Sequence, residues 1–501
     1  MDLRKAFRKS VSEHPERKAI ISEEKEYTYR ELHEKVRKVA GYIEDKDLEG
    51  KKIGFSSPNS ADALITVLGI WYSGSTCVHI NPRLEAGELP YYIEDSGAEA
   101  LFHHGSLSEK IGQLEADIET EKLENIRGSE YQSGDEDLAD ELCSITYTHS
   151  RLLHGAMILV IEAQESRDID IEIQEEMEEM EGGEPRNFSD EAIEKFIESE
   201  PWEDDTHAVI YPLYHVSGTN PSFATLLGGG TLVLPDRDIG NVMSRIEEYE
   251  ATLTGGVPAQ LSEMCDLTEE EYDFSSLEFV HTGGGLLTDK TREKVVNSLT
   301  ENLCHEYASS ETLEMAYSLD NSGAFGEPTC LQEIKVVKPG TLEEVSTGEK
   351  GEAVINTEGP TVFQGYWNKP KKTAESMKDG WYRTGDLVRY DEKGRLWFEG
   401  RADDLIISGG ENISPATVEN SIVSHPEVER SAVIGVEDDE WGQKVVAYVE
   451  GDVKPEELDS YLKESDLADF KRPKEYIIRD KIPFKETSGV DRKKLREEYS
   501  Q

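Results

Sequence analysis

GWYRTGDLVRYDEKGRLWFEGRADDLIISGGENISP, from Gly380 to Pro415, is the stretch that decides the fold. An acid, Asp386, stands behind aromatic residues in Trp381-Tyr382-Arg383-Thr384-Gly385-Asp386. Leu387–Tyr390 and Leu396–Glu399 alternate roughly between apolar and polar residues across Asp391-Glu392-Lys393-Gly394, which predicts a hairpin. Gly400-Arg401-Ala402-Asp403-Asp404 then precedes an apolar run into Gly409-Gly410-Glu411-Asn412. A purely structural hairpin explains the middle third. It gives no reason for TGD, GRxDD and SGGENI to follow at these intervals.

Taken together these motifs resemble AMP-forming acyl-CoA synthetases, in the superfamily that also holds luciferases and peptide-synthetase adenylation domains. The resemblance implies that Asp386 holds the ribose hydroxyls and that Arg401 also reaches the nucleotide. It makes Asp403 the hinge of a small C-terminal lid and lays Gly409 and Gly410 along the pantetheine tunnel. The C-terminal part looks closest to aryl-CoA ligases of the 4-chlorobenzoate type. The implied fold is α/β: a large N-terminal domain (1–402) of α/β subdomains plus a small β-subdomain, then a mobile α+β lid (403–501).

Composition sets outer limits. At 501 residues the chain has room for about three cores. Its net charge of -52 leaves no basic stripe for phosphates, so nucleic acid is not an expected partner. The acids are spread along the chain, a pattern suited to concentrated salt, where self-repulsion is screened, and to a halophile's cytoplasm. Five cysteines without a CxxC spacing indicate neither a disulfide framework nor a zinc site. No apolar run is long enough for a membrane span, and the N-terminus has no apolar core of a signal peptide. The expected location is cytoplasmic; self-association as a homodimer stays open.

Upstream, strand and helix signals alternate. Leu32, Val36, Val39 and Ala40 share one helical face, Lys52–Ser56 and Thr76–Ile80 read as strands, and Ala61–Tyr72 reads as an apolar helix between them. Such alternation predicts parallel βαβ units.

In Ser144–Met157 the resemblance implies a phosphate loop. There, glycines let backbone N–H groups close around phosphates, hydroxyls add donors and a lysine adds charge. This chain keeps Tyr147, Thr148, Gly155 and Ala156, but the loop between is about two residues short and lacks the first glycines, the proline and the lysine. Thr148 and Ser150 are the nucleotide-facing candidates, and Arg151 is a cation that could stand in for the lysine. Residues 162–188, with the acidic tract EEMEEMEGGE, read as an insertion.

Further motifs follow in the family's order. Ala208–Gly218 delivers His215 to a loop in the context PLYHVSG, where the resemblance places it beside the acyl pocket. A helix is expected from Asn220 to Leu227. Phe279–Gly285 is a strand ending in Gly283, Gly284 and Gly285, which lets a flat ligand approach the backbone. In His305-Glu306-Tyr307-Ala308-Ser309-Ser310-Glu311 the resemblance puts Glu306 and Tyr307 at the nucleotide, Tyr307 stacked on adenine, and Glu311 on Mg²⁺, which prefers hard oxygen ligands.

In the lid, Pro415–Val423 reads as a helix, and Ser431–Val436 and Lys444–Val449 as strands. Trp441, Phe470, Arg472 and Lys474 are the implied CoA-binding residues, a cationic group in an acidic chain. Near the end, Thr487-Ser488-Gly489-Val490 lacks the family's lysine. Either Val490 occupies its position, or one residue is deleted and Val490 belongs to the next. Lys485 and Lys493 stand nearby.

Three functions fit. The first is a ligase that joins a carboxylic acid to CoA through an acyl-adenylate, using ATP and Mg²⁺ and releasing AMP and pyrophosphate. The second performs only the thioester half-reaction. The third is a non-catalytic binder of nucleotide, acyl group or CoA.

Overall fold

A computed structural model of the chain describes residues 3–23, 25–114, 118–126, 128–129, 131, 202, 204–236, 238–285, 287–408, 411–438, 441–465, 467–483 and 490–499. The expected phosphate loop, the 162–188 insertion, Gly409, Gly410 and Lys485 lie outside them.

After an opening helix, Leu3–Glu13, come the strands β1 (Lys18–Ser22) and β2 (Glu26–Thr28). Thr28 then caps the helix Tyr29–Asp45 in a reciprocal box with Glu31, the Thr28 N–H donating to the Glu31 carboxylate at 2.8 Å. The expected face of that helix, Leu32, Val36, Val39 and Ala40, is buried. It packs on the helix Ala61–Tyr72 at Gly69, where an added Cβ would fall 2.4 Å from the Cβ of Val39. A larger residue would force the helices apart. The strands β3 (Lys52–Ser56), β4 (Thr76–His79), β5 (Ala100–His103) and β6 (Glu119–Lys122) form a parallel sheet in the order β4-β3-β5-β6.

The second sheet carries the site. It contains β7 (Thr206–Val209), β8 (Thr231–Leu234), β9 (Leu253–Gly255), β10 (Phe279–Thr282), β11 (Leu303–Ser309), β12 (Leu313–Ser318) and β13 (Glu327–Pro328). Its order is β13-β12-β11-β10-β9-β7-β8-β1-β2. The run from β11 to β1 is parallel, and antiparallel strands close both edges. In parallel sheets, ligands bind beyond the carboxyl ends of the strands. The glycines after β10 and Glu311 after β11 stand at that edge.

The helix expected from Asn220 begins at Val216 instead and runs to Leu227 with Pro221 inside it. His215 is its N-cap, its ring accepting from the Ser217 N–H at 3.3 Å. A capping histidine is hard to read in sequence because Ser, Thr, Asp and Asn dominate that position.

An antiparallel sheet follows, with β14 (Ile334–Val337), β15 (Gly351–Asn356), β16 (Met377–Lys378), β17 (Trp381–Tyr390) and β18 (Leu396–Arg401). The β17–β18 hairpin is the one expected, extended at both ends. A smaller C-terminal domain comes last, with β19 (Ile406–Ser408), β20 (Glu411–Ile413), β21 (Val428–Asp438), β22 (Gly442–Gly451) and β23 (Glu475–Ile478). It has its own apolar clusters, one around Ile406, Val418, Ile422, Val445 and Leu458. The helix Pro415–Val423 has the bounds its sequence suggests. Lys290 ties the two parts, its Nζ donating to the Val428 carbonyl at 2.8 Å. Among the described residues, no helix is long and apolar enough to cross a membrane.

Candidate active site

The hairpin register sets Asp386 opposite Arg401. Gly385 takes φ +72° just before the acid, and Gly400 takes φ +123° just before the arginine, conformations that favour glycine. At Gly400 an added Cβ would also meet the Ser414 hydroxyl at 2.6 Å. Arg401 Nη1 donates to Asp386 Oδ1 at 2.6 Å. From β11, the Tyr307 hydroxyl donates to Asp386 Oδ2 at 2.7 Å. Three residues singled out in different motifs therefore meet in one cluster. Burial raises the Asp386 pKa, while Arg401 and the Tyr307 hydroxyl oppose that rise by favouring the carboxylate. Tyr307 is held well above its ordinary range, by burial first and then by the Asp386 charge. Its ring stacks on Phe325 at 4.7 Å with an interplanar angle of 5°. A carboxylate has about four lone-pair sites, so Asp386 keeps acceptor capacity beyond these two bonds.

Glu311 follows β11 in a turn. Its Oε1 accepts from the Tyr366 hydroxyl at 2.8 Å, and its carbonyl accepts from the Phe363 N–H at 2.7 Å. Burial, then the Glu311 charge, push the Tyr366 phenol up to about 12. Among the described residues, no group of three His, Cys, Asp or Glu forms a metal cage. Mg²⁺ is commonly held by one or two carboxylates, with phosphates and water supplying its other ligands. Glu311 suits that single-carboxylate role, since only one of its oxygens is bound to Tyr366.

His215 is set by a clamp that sequence reasoning missed. Buried Asn59 donates to the Tyr211 carbonyl and accepts from the Leu213 N–H, both at 2.8 Å. The turn before the helix Ala61–Tyr72 thereby fixes the loop that carries His215. Burial lowers the His215 pKa, favouring the neutral ring. Gly283 packs against β11, where an added Cβ would stand 3.2 Å from the Glu306 carbonyl, and Gly284 takes φ +71°.

Glu306 faces away from the Asp386 cluster, because successive strand residues point to opposite sides. Its Oε1 lies 2.9 Å from His281 Nδ1 in a buried pair that the sequence motifs did not reveal. Asp403 sits in the short turn Ala402–Asp404 between the two domains.

On the C-terminal domain, Trp441 and Phe470 are large exposed rings, and Lys474 Nζ stands 4.8 Å from the Trp441 centroid. Arg472 is bound internally, to Asp459 at 2.9 Å and Asp469 at 3.2 Å. Val490 is half-buried against the cluster of Ala432, Ile434 and Val446. Thr148 and Ser150, like Gly409 and Gly410, lie outside the described residues.

The family model described as AMP-binding enzyme matches residues 7–150 and 186–367, and that of the AMP-binding enzyme C-terminal domain matches 417–489. The first match breaks between its two segments, across most of the acidic insertion. A 2-succinylbenzoate–CoA ligase of Bacillus licheniformis is 29 % identical over 492 residues, covering 96 % of this chain and 97 % of that protein. A feruloyl-CoA synthase of Amycolatopsis is 29 % identical over 478 residues, covering 91 % and 90 %. The ATP-bound MatB of Rhodopseudomonas palustris shares the fold with a TM-score of 0.85 at 24 % identity, covering 100 % of this chain and 99 % of that one. The o-succinylbenzoate CoA synthetase of Bacillus subtilis, solved with its acyl-adenylate, does so with a TM-score of 0.80 at 24 % identity, covering 98 % and 97 %. The chain belongs to the AMP-binding enzyme family.

Proposed function

We propose that this protein is an AMP-forming acid–CoA ligase. A carboxylic acid attacks the α-phosphate of ATP, giving an acyl-adenylate and pyrophosphate; the CoA thiol then attacks the acyl carbon and AMP leaves. The observation that carries the reading is the meeting of Tyr307, Asp386 and Arg401. It supports a ribose site, with the remaining lone pairs of Asp386 accepting the sugar hydroxyls and Arg401 fixing the carboxylate. Gly283, Gly284 and Gly285 would border the adenine.

Glu311 would hold Mg²⁺, which when bound neutralises phosphate charge. Neutral His215, at the end of its capped helix, borders the acyl group. Asp403 is the pivot between the domains, and we take 1–402 and 403–501 as the two bodies. Trp441, Phe470 and Lys474 present rings and charge to the CoA nucleotide. Arg472 holds its own loop in place, which leaves Lys474 as the better phosphate partner. A cytoplasmic location suits these substrates.

The relatives' names point to ring-bearing acids, 2-succinylbenzoate and ferulate, and we take an aromatic acid as the substrate class. Nothing in the comparisons favours an adenylation-impaired protein. The packing of Val490 in the lid core supports the deletion alternative, since a residue facing ATP would project outward. Arg151, Lys485 or Lys493 would then supply the missing charge. The test is Asp386→Asn in a coupled thioester assay. We expect a loss of about 10²–10³ in rate for every acid, as for removal of one placed electrostatic partner; unchanged activity would remove Asp386 from the site.

A further inference from the structure

On the side of β11 opposite the ribose site lies a small cavity of about 20 Å³, lined by Trp202, His207, Pro221, Leu253, Phe279, His281 and Glu306. That volume takes about one water-sized group. Its polar members are deeply buried: His207 is 3 % exposed, His281 6 % and Glu306 8 %. Glu314, 6 % exposed, lies behind Glu306. Burial, then the neighbouring Glu306, raises the Glu314 carboxyl well above the usual carboxylate range. His207 is neutral, pushed down to about 3 by burial and by His281, and its Nδ1 is paired with the Thr225 hydroxyl at 2.9 Å.

The His281–Glu306 pair is close but incomplete. Nδ1 and Oε1 stand 2.9 Å apart, yet the contact lacks hydrogen-bond angles, and both atoms are without a hydrogen-bond partner. A buried polar group left so destabilises the protein until something pairs it. The arrangement is built rather than accidental. Gly255 makes room for the His281 ring, since an added Cβ there would fall 2.1 Å from Nε2. Glu306 Oε2 lies 3.6 Å from where a Gly283 side chain would begin, so the cavity adjoins the glycine edge at the strand ends.

We propose that the His281–Glu306 pair is the end of the acid pocket and selects acids whose far end carries a hydroxyl. This rests on the ligase reading above. A hydroxyl both donates and accepts, so it can give its proton to Glu306 Oε1 and accept from His281 Nδ1–H. A methyl or methoxy group leaves the carboxylate unpaired. An ammonium leaves the imidazole N–H unpaired. A second carboxylate would add a third acid where Glu306 and Glu314 already stand together.

The test uses benzoates, phenylacetates and cinnamates bearing hydroxyl, methyl, methoxy, aminomethyl or carboxyl at the para position. Thioester formation gives kcat/KM, and calorimetry with the matching acyl-sulfamoyl adenosines gives binding without turnover. For the wild type, the hydroxyl compound of the best-fitting length should exceed its methyl counterpart by about 10²-fold in both. Glu306→Leu should invert that order, and Glu306→Gln, which keeps the shape, should retain part of it. A wild type that prefers methyl, amine or carboxylate, or a Glu306→Leu variant with the wild-type order, overturns the proposal. Absent turnover with hydroxyl-selective analogue binding would sink the ligase reading and leave the pocket assignment standing. Analogues that bind without regard to the tail would sink the pocket assignment.

Discussion

Glu306 and Tyr307 are neighbours on one strand and serve two unlike regions. Tyr307 reaches Asp386, which Arg401 also binds, and short charge-assisted bonds hold the three together. Glu306 stands against His281 beside a small cavity, with donor and acceptor capacity unspent. The first region is nearly complete in itself and needs a nucleotide only to use the lone pairs left over. The second is complete only when something fills it. The difference teaches where a ligase of this fold is general and where it is particular: a nucleotide is the same for every acid, while the pocket end must match one.

Substitutions can break that contrast. The largest effect is expected at the general end. Asp386→Ala should lower kcat/KM by about 10²–10³ for all acids alike, and a loss confined to some acids would erase the distinction. Next comes Glu306→Leu, which should reorder the acids and leave the KM for ATP within about twofold; a raised KM for ATP would tie Glu306 to the nucleotide instead. Asn59→Ala should cost about 1–3 kcal/mol, read by denaturant unfolding, because it strips two bonds from the buried loop before His215. At the lid, Lys474→Ala should raise the KM for CoA several-fold. Arg472→Ala should instead lower lid stability by about 0.5–1 kcal/mol, given its ion pairs with Asp459 and Asp469. The smallest and most diffuse effect is ionic. With a net charge of -52, the melting temperature should rise with KCl, and a flat response would mean that self-repulsion is already relieved locally.

Legibility in the sequence followed the same division. The β17–β18 hairpin and the meeting of Asp386 with Arg401 come from contiguous residues whose turn and glycines are local features. Tyr307 was readable because its motif is short and its neighbours are distinctive. The helix Pro415–Val423 and the strands β3, β21 and β22 were visible through periodicity. His281 was not, since nothing local distinguishes a histidine inside an apolar strand. Its partnership with Glu306 exists only through the pairing of β10 with β11. The Asn59 clamp joins positions 152 and 154 residues apart, beyond any local pattern. The ion pairs of Arg472 with Asp459 and Asp469 were likewise out of sight in the sequence, since the first partner is 13 residues away and on another element.

Carboxylate-dependent ATP–pyrophosphate exchange, run with Mg²⁺ in molar KCl over aromatic and aliphatic acids, tests the ligase reading most directly. Exchange above background with at least one aromatic acid, abolished by Asp386→Ala, is the expected result. No exchange with any acid, while CoA still yields a thioester from a synthetic acyl-adenylate, would contradict it and leave an enzyme of the second half-reaction alone.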